Sequence, residues 1–191
     1  MFKIQGVKKS KEQLIYEDIY LLPVQDNNIN TGWLSWMNNP KLTKYLDSGC
    51  NQYTANDLKK YLNTDESKAF LACYRLDDNV YIGNLRVYEL SSGIFSYGIL
   101  IGEKFQGLGY GTKLCKIALD LVFNSFNGDL VVASNKSENK APHAYKTRIG
   151  FCIADSIFVL RWSLKKYFKN YPKDPIYFVD KKIFDKIQLK I

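Results

Sequence analysis

The stretch Gly98 to Thr112, GILIGEKFQGLGYGT, limits what this chain can become more than any other. An apolar strand-like run ends at Gly102, and an amphipathic helix with Leu114, Ile117, Ala118, Leu121 and Val122 on one face begins near Tyr110. The turn between them sets several backbone N–H groups at the positive end of a helix dipole. Glycines at 107, 109 and 111 remove Cβ atoms, so the backbone can take positive φ and a ligand can approach the main chain. This is an anion site, and phosphate is its natural guest. It is not a P-loop, because Gly111 is followed by Thr112 and Lys113, the reverse of the Lys-then-Ser/Thr order which that motif needs. Nor is it a dinucleotide fingerprint. GxGxG stands in place of GxGxxG, and it follows a meander instead of opening a βαβ unit.

The elements around this turn follow from periodicity. Ile19 to Val24 reads as a first strand, and the stretch after Asn30 that carries Trp33, Leu34, Trp36 and Met37 has helical spacing, broken at Asn39-Pro40. Thr54 as N-cap with Asp57 three residues on predicts a second helix. From Ala69 the pattern turns to β: AFLACYRL, VYIGNLRVYEL and IFSYGILIG, separated by turns at Asp77-Asp78-Asn79 and Ser91-Ser92-Gly93. After the glycine turn and its helix come a buried strand from Leu130 to Ser134, a polar loop through Asn139, a short helix ending near Gly150 and a strand from Phe151. Helices interspersed with mixed strands predict a three-layer α/β or α+β fold, not an all-β barrel. No linker or repeat divides the chain, so one domain is expected over 1–191, with a core of about 15–160 and tail elements at 161–191.

Composition narrows the setting. With 191 residues, 46% hydrophobic and 24% charged, the chain reads as an ordinary globular protein. No apolar run approaches the roughly 20 residues that span a bilayer, and MFKIQGVKKSKEQ lacks the apolar stretch of a secretion signal, so a cytoplasmic setting without membrane association is expected. Cys50, Cys73, Cys115 and Cys152 form no CxxC pair, and the last three sit in apolar segments; they read as reduced core thiols, and no metal is expected. The net charge of +8 is concentrated after Leu160, where Arg161, Lys165, Lys166, Lys169, Lys173, Lys181, Lys182, Lys186 and Lys190 face only Asp174, Asp180 and Asp185. A solvated basic face explains this better than a dedicated nucleic-acid patch.

In this context Gln106-Gly-Leu-Gly-Tyr-Gly111 resembles the Q/R-x-x-G-x-G/A pyrophosphate loop of the GNAT superfamily of acetyl-CoA-dependent N-acetyltransferases. Two further stretches are similar to that family: Asn139 followed by a short helix ending in Ile149-Gly150-Phe151, and WLSWMNNPKLTKYL, which resembles the W-x-x-D/N-P-x-V-x-x-Y-L segment of the branch that acetylates ribosomal-protein N-termini and amino sugars. The resemblance covers residues 15 to 160, with PIYFVDKKIF as a candidate last strand. It implies a mixed, mostly antiparallel sheet splayed between its fourth and fifth strands, with helices on both faces.

The resemblance also implies a site. Acetyl-CoA, as co-substrate, would lie in the splay between the strand at Ile99, Leu100 and Ile101 and the strand at Leu130 to Ser134. Backbone groups of Gln106, Gly107, Leu108, Gly109, Tyr110, Gly111 and Thr112 would hold its pyrophosphate, and Asn139 its pantetheine end. A strand N–H near Leu100 would stabilise the oxyanion as an unprotonated amine attacks the thioester directly. Where related proteins often carry a Glu base this chain has Ser96. The position of their acid Tyr falls on Lys146, with Tyr145 one residue off and Pro142 at a usual Ser/Ala position. Tyr145 is read either as the thiolate acid or as a packing residue, and His143, the single histidine, either as a proton carrier or as incidental. Glu89 and Asp47 are the remaining acidic candidates. For the acceptor pocket Tyr45 and Asp47 are the better candidates, with Trp36 and Tyr53, while Trp33 and Trp36, three apart on one helical face, read first as core aromatics.

Three functions compete at this level. The first is acetylation of a small amine, with a nucleotide-linked amino sugar preferred. The second is acetylation of a protein N-terminus, ribosomal or otherwise. The third, from another class, is a nucleotide- or nucleic-acid-binding module without chemistry. Either a monomer or a homodimer is expected.

Overall fold

The computed structural model describes residues 8–9, 13–46 and 52–188. The chain opens with an antiparallel meander of β1 (Lys8–Lys9), β2 (Leu14–Tyr16) and β3 (Ile19–Pro23). Two strands thus precede the one expected first. A helical run follows: α1 (Asp26–Asn28), a π-helical turn over Ile29–Trp33, and α2 (Leu34–Met37). Asn39-Pro40 does end this run, but it also starts α3 (Pro40–Thr43). Asn39 Oδ1 accepts the Lys41 N–H, and Pro40 takes the first helical position, where its missing N–H is not needed. Helix α4 (Ala55–Asn63) is held by the expected capping box, in which Thr54 and Asp57 bond reciprocally.

The β-rich middle is β4 (Ala69–Arg75), β5 (Tyr81–Ser91) and β6 (Ile94–Ile101). Helix α5 (Tyr110–Asp120) continues into a π-helical turn over Leu121–Ser125, and then come β7 (Leu130–Ser134) and α6 (Lys140–Ile149). The strand expected from Phe151 is only β8 (Cys152–Ile153), at the sheet's edge. After α7 (Ser156–Arg161) the tail supplies β9 (Ile176–Asp180) and α8 (Lys181–Gln188). Strand β9 lies between β7 and β8 and pairs antiparallel with both.

Among the described residues the sheet has nine strands in the order β1-β2-β3-β4-β5-β6-β7-β9-β8, antiparallel throughout except for β6 beside β7. Alternation along the strands builds the layers. Leu85, Val87, Phe95, Tyr97, Val131, Ala133, Tyr177 and Val179 face one side, where Leu114, Cys115, Ile117 and Ala118 of α5 and Phe184 and Ile187 of α8 cover them. The opposite face is covered in two parts. Trp33, Leu58 and Ile29 of the N-terminal helices pack with Ala72 and Tyr81, and Val159 and Leu164 from the α7 region pack with Leu130, Val132 and Ile176.

Of the composition readings, the one for Cys152 changes. Cys73 and Cys115 are buried as expected, but Cys152 is exposed, because on the edge strand its side chain meets no covering layer; Cys50 lies outside the described residues. The tail cations Arg161, Lys165, Lys166, Lys169, Lys173, Lys181, Lys182 and Lys186 are all exposed, a solvated face. Among the described residues no helix is long and apolar enough to cross a membrane.

Candidate active site

The turn ahead of α5 leaves open backbone at a helix N-terminus. Gly107 and Gly109 take φ of +78° and +87°, and a Cβ at either would meet nothing within 4 Å, so open space lies over both. Gly109 caps α5 without a side-chain bond, and α5 has no acidic residue in its first turn. Not every amide of the turn is available. Gln106 N–H bonds back to the Glu103 carbonyl at 3.3 Å, and Thr112 N–H bonds to the Gly109 carbonyl at 3.0 Å. That leaves the N–H groups from Gly107 to Gly111 at the positive helix end. Leu108 crowns the turn and is exposed, whereas the Tyr110 ring is buried in the core beneath it.

The splay is visible in the strand register. β6 and β7 pair only through Ile94 with Leu130 and Phe95 with Val131, and beyond those residues the strands part. Which backbone groups face the gap follows from the β5 side. Gly102 N–H donates to the Ile82 carbonyl at 3.0 Å, and the unbroken register sets Leu100 opposite Asn84 and Gly98 opposite Arg86. Hydrogen-bonded pairs alternate along an antiparallel ladder. Leu100 and Gly98 therefore aim N–H and C=O at β5, while Tyr97, Ile99 and Ile101 aim theirs into the gap. This corrects the expectation for Leu100: its N–H is engaged with β5, and its side chain packs toward the N-terminal helices. An extended amide-bearing chain finds an unpaired strand edge at Tyr97, Ile99 and Ile101, leading to the glycine turn. The pantetheine arm and diphosphate of acetyl-CoA fit that sequence of groups.

The walls of the gap carry polar side chains. Tyr97 Oη lies 3.1 Å from Cys115 Sγ in the core. The Tyr145 ring covers Gly111, 3.5 Å from where a Cβ would stand, and its hydroxyl is buried near Tyr97 and Cys115. Burial raises both phenols and pushes the Cys115 thiol up to about 12, so all three stay protonated near neutrality. Lys146 is 1% exposed; its Nζ donates to Asn135 Oδ1, just past β7, and lies 5.8 Å and 5.2 Å from the ring centroids of Tyr97 and Tyr177. Burial lowers this ammonium to about 8.

His143 is fixed at both nitrogens. A carbonyl can only accept, so Nε2–H donates to the Lys136 carbonyl at 3.1 Å and Nδ1 accepts from the Tyr177 hydroxyl at 2.7 Å. These bonds brace α6 against β9 and engage both ring nitrogens within the protein. Ser96 is buried at 2% exposure, and Glu89 is engaged by Lys68 and by the Gly93 N–H. Asn139 stands at the N-cap of α6 without bonding the helix through its side chain.

Of the residues expected to line the acceptor pocket, Trp36 lies over Gly102 and against the Tyr81 ring at 4.6 Å. Trp33 is core, in edge contact with Phe70. Tyr45 is half-buried just after α3, beside the Lys44 carbonyl, which accepts from Lys136 Nζ at 3.2 Å across the gap. Tyr53 is tied through its backbone to Asn38, and Asp47 lies outside the described residues. Sequence reasoning passed over Asn84, whose Oδ1 accepts from the Tyr81 hydroxyl at 2.6 Å while its Nδ2 is buried without a partner. An Asn amid β-branched and aromatic neighbours in GNLRVY was the available signal.

Comparison with known proteins shows the family. The family profile described as acetyltransferase (GNAT) domain matches residues 18–152. The chain belongs to the GNAT acetyltransferase family. It is accordingly an acetyl-CoA-dependent N-acetyltransferase, and a module without chemistry is set aside. A search of curated proteins found no match. Among solved structures, a GNAT-family acetyltransferase from Bacillus anthracis superposes with a TM-score of 0.71 at 13% identity, covering 87% of this chain and 96% of that one. The spermidine N-acetyltransferase of Vibrio cholerae, solved with CoA and spermine, gives 0.70 at 15% identity over 87% and 98%. An acetyltransferase from Agrobacterium tumefaciens gives 0.68 at 16% identity over 93% and 99%. At such identities the likeness speaks for the fold of the acetyltransferase.

Proposed function

We propose that this acetyltransferase moves the acetyl group of acetyl-CoA to the primary amine of a small acceptor by direct attack in a ternary complex, with a nucleotide-linked amino sugar as the acceptor class. The carrying observation is the unpaired β6 edge at Tyr97, Ile99 and Ile101 running into the open amides of Gly107 to Gly111. Bound there, acetyl-CoA supplies the activated acyl carbon. The chain's own groups do the rest. Amides 107 to 111 hold the diphosphate, the β6 edge aligns the arm, and Asn139 holds its far end. The N–H groups of Ile99 and Ile101 are the strand donors for a developing oxyanion. Tyr145 walls the gap and keeps water out.

Charge supports the acceptor class. Asp26 is paired with Lys59 at 2.6 Å and Glu103 with Lys41 at 2.9 Å, and the protein carries a net +8. A polycationic acceptor gains little from such a surface, whereas a diphosphate-bearing one is attracted. The Lys136 bond to Lys44 ties the two rims together and favours a small acceptor over a protein N-terminus. Free-thiol release from acetyl-CoA, measured with nucleotide-linked amino sugars, spermidine and N-terminal peptides side by side, tests the acceptor. Turnover confined to peptides or polyamines sinks the acceptor assignment, and no calorimetric binding of acetyl-CoA at millimolar concentration sinks the site itself.

A further inference from the structure

The least expected group in the gap is the Lys146 ammonium. It stands one helical turn before the buried Ile149, and its carbonyl accepts from both Gly150 and Phe151, at 3.1 Å and 3.0 Å, so the end of α6 fixes its backbone. Its side chain runs inward to the place where β6 and β7 separate. Tyr97 is the first β6 residue aimed into the gap, and Asn135 directly follows β7; Lys146 Nζ reaches both. No ion pair of Lys146 is found among the described residues. An ammonium buried with one amide oxygen and two aromatic faces is costly to keep, since only part of its lost hydration is restored.

We propose that Lys146 binds the sulfur of the coenzyme and donates the proton that the leaving thiolate takes up. The inference rests on the acetyl-transfer reading above and goes beyond it in assigning the acid. As the acceptor nitrogen bonds to the acyl carbon and the C–S bond breaks, the electron pair leaves on sulfur. One Nζ–H bond of Lys146 breaks and an S–H bond forms. The neutral Lys146 amine regains a proton from solvent, which receives the one the acceptor amine has shed. The groups that face Nζ are Tyr97 from β6, Cys115 from α5, Tyr177 from β9 and Asn135; none is a carboxylate that would hold the ammonium back. Lowered by burial to about 8, Lys146 is matched to a thiol, whose usual value is about 8.5. The Tyr145 hydroxyl, raised by burial, is a poorer donor.

The test compares Lys146→Met and Lys146→Arg with the unaltered enzyme, using CoA and desulfo-CoA as probes. We expect the unaltered protein to bind CoA about ten-fold tighter than desulfo-CoA and Lys146→Met to lose that preference, with desulfo-CoA affinity unchanged. Turnover should fall about 100-fold in Lys146→Met with the KM for acetyl-CoA little altered, and Lys146→Arg should keep the CoA preference better than the turnover. In the unaltered enzyme, thiolate absorbance should show the thiol of bound CoA ionising at lower pH than the free thiol, a readout that survives even if the variants fail to fold. Equal affinity for the two probes, or a bound thiol titrating as it does free, overturns the proposal. So does a mass increase on Lys146 after incubation with acetyl-CoA alone, which makes it a nucleophile. Failure of the unaltered protein to bind either probe strikes at the acetyl-transfer reading instead.

Discussion

Trp36 lies flat against Gly102: a Cβ added to that glycine would stand 2.7 Å from Trp36 Cε2 and 2.8 Å from Nε1. The obstacle is a half-buried side chain rather than backbone, so Gly102→Ala moves the indole and leaves the β6 edge in place. If Trp36 walls the acceptor pocket, this substitution raises the acceptor KM about ten-fold and changes acetyl-CoA affinity by less than about two-fold. Steady-state kinetics beside calorimetry separates the two. A loss of acetyl-CoA affinity with unchanged acceptor KM removes Trp36 from the pocket.

The glycine turn makes a sharper contrast. At Gly109, with φ of +87° and nothing within 4 Å, Ala clashes with no protein atom but carries the left-handed penalty and fills ligand space. Gly109→Ala should cost about 1 kcal/mol of stability and weaken acetyl-CoA binding about ten-fold or more. Gly111 has ordinary φ, and its Cβ would stand 3.5 Å from Tyr145 Cε1, a normal contact. Gly111→Ala should be close to neutral in denaturant unfolding. Equal losses in both would mean that the turn is tuned for packing, not for a ligand.

These positions also show what the sequence discloses. The turn was legible because its signals are local: a strand, glycines and an amphipathic helix in direct succession. The splay was implied by resemblance alone, since nothing in Tyr97 or Val132 says that their strands part. The donor near Leu100 was missed by one residue because ladder phase depends on Gly102 meeting Ile82 across the sheet. Strand β9 was anticipated, but its place between β7 and β8 is a long-range fact. Lys146 was seen only as a residue out of place. The signal was its spacing of three from Ile149, which puts it on the buried face of α6.

His143 offers a test of bracing against chemistry. His143→Ala deletes both ring bonds and leaves the buried Tyr177 hydroxyl without its partner. The expected cost is about 2 kcal/mol in thermal or denaturant unfolding, with the shape of the pH–rate profile retained. Loss of an ionisation from that profile, with stability intact, would put His143 on the proton path.

Lys146 ties function to a stability penalty whose sign can be worked out. A free lysine ionises near 10.5, and burial brings Lys146 to about 8 in the folded protein. Between those values the unfolded chain binds more protons than the folded one, so this residue's contribution rises with pH over that window. Below it the penalty is complete, roughly 3 kcal/mol. At pH 7 Lys146→Met should therefore unfold at higher temperature or denaturant concentration than the unaltered protein, while turning over more slowly. The gap should close progressively from pH 8 to pH 10.5 as the buried amine becomes neutral at no cost. Unfolding curves of both proteins across that range measure it. A less stable Lys146→Met at neutral pH would mean that the ammonium is well satisfied where it lies and is not held in reserve for a sulfur.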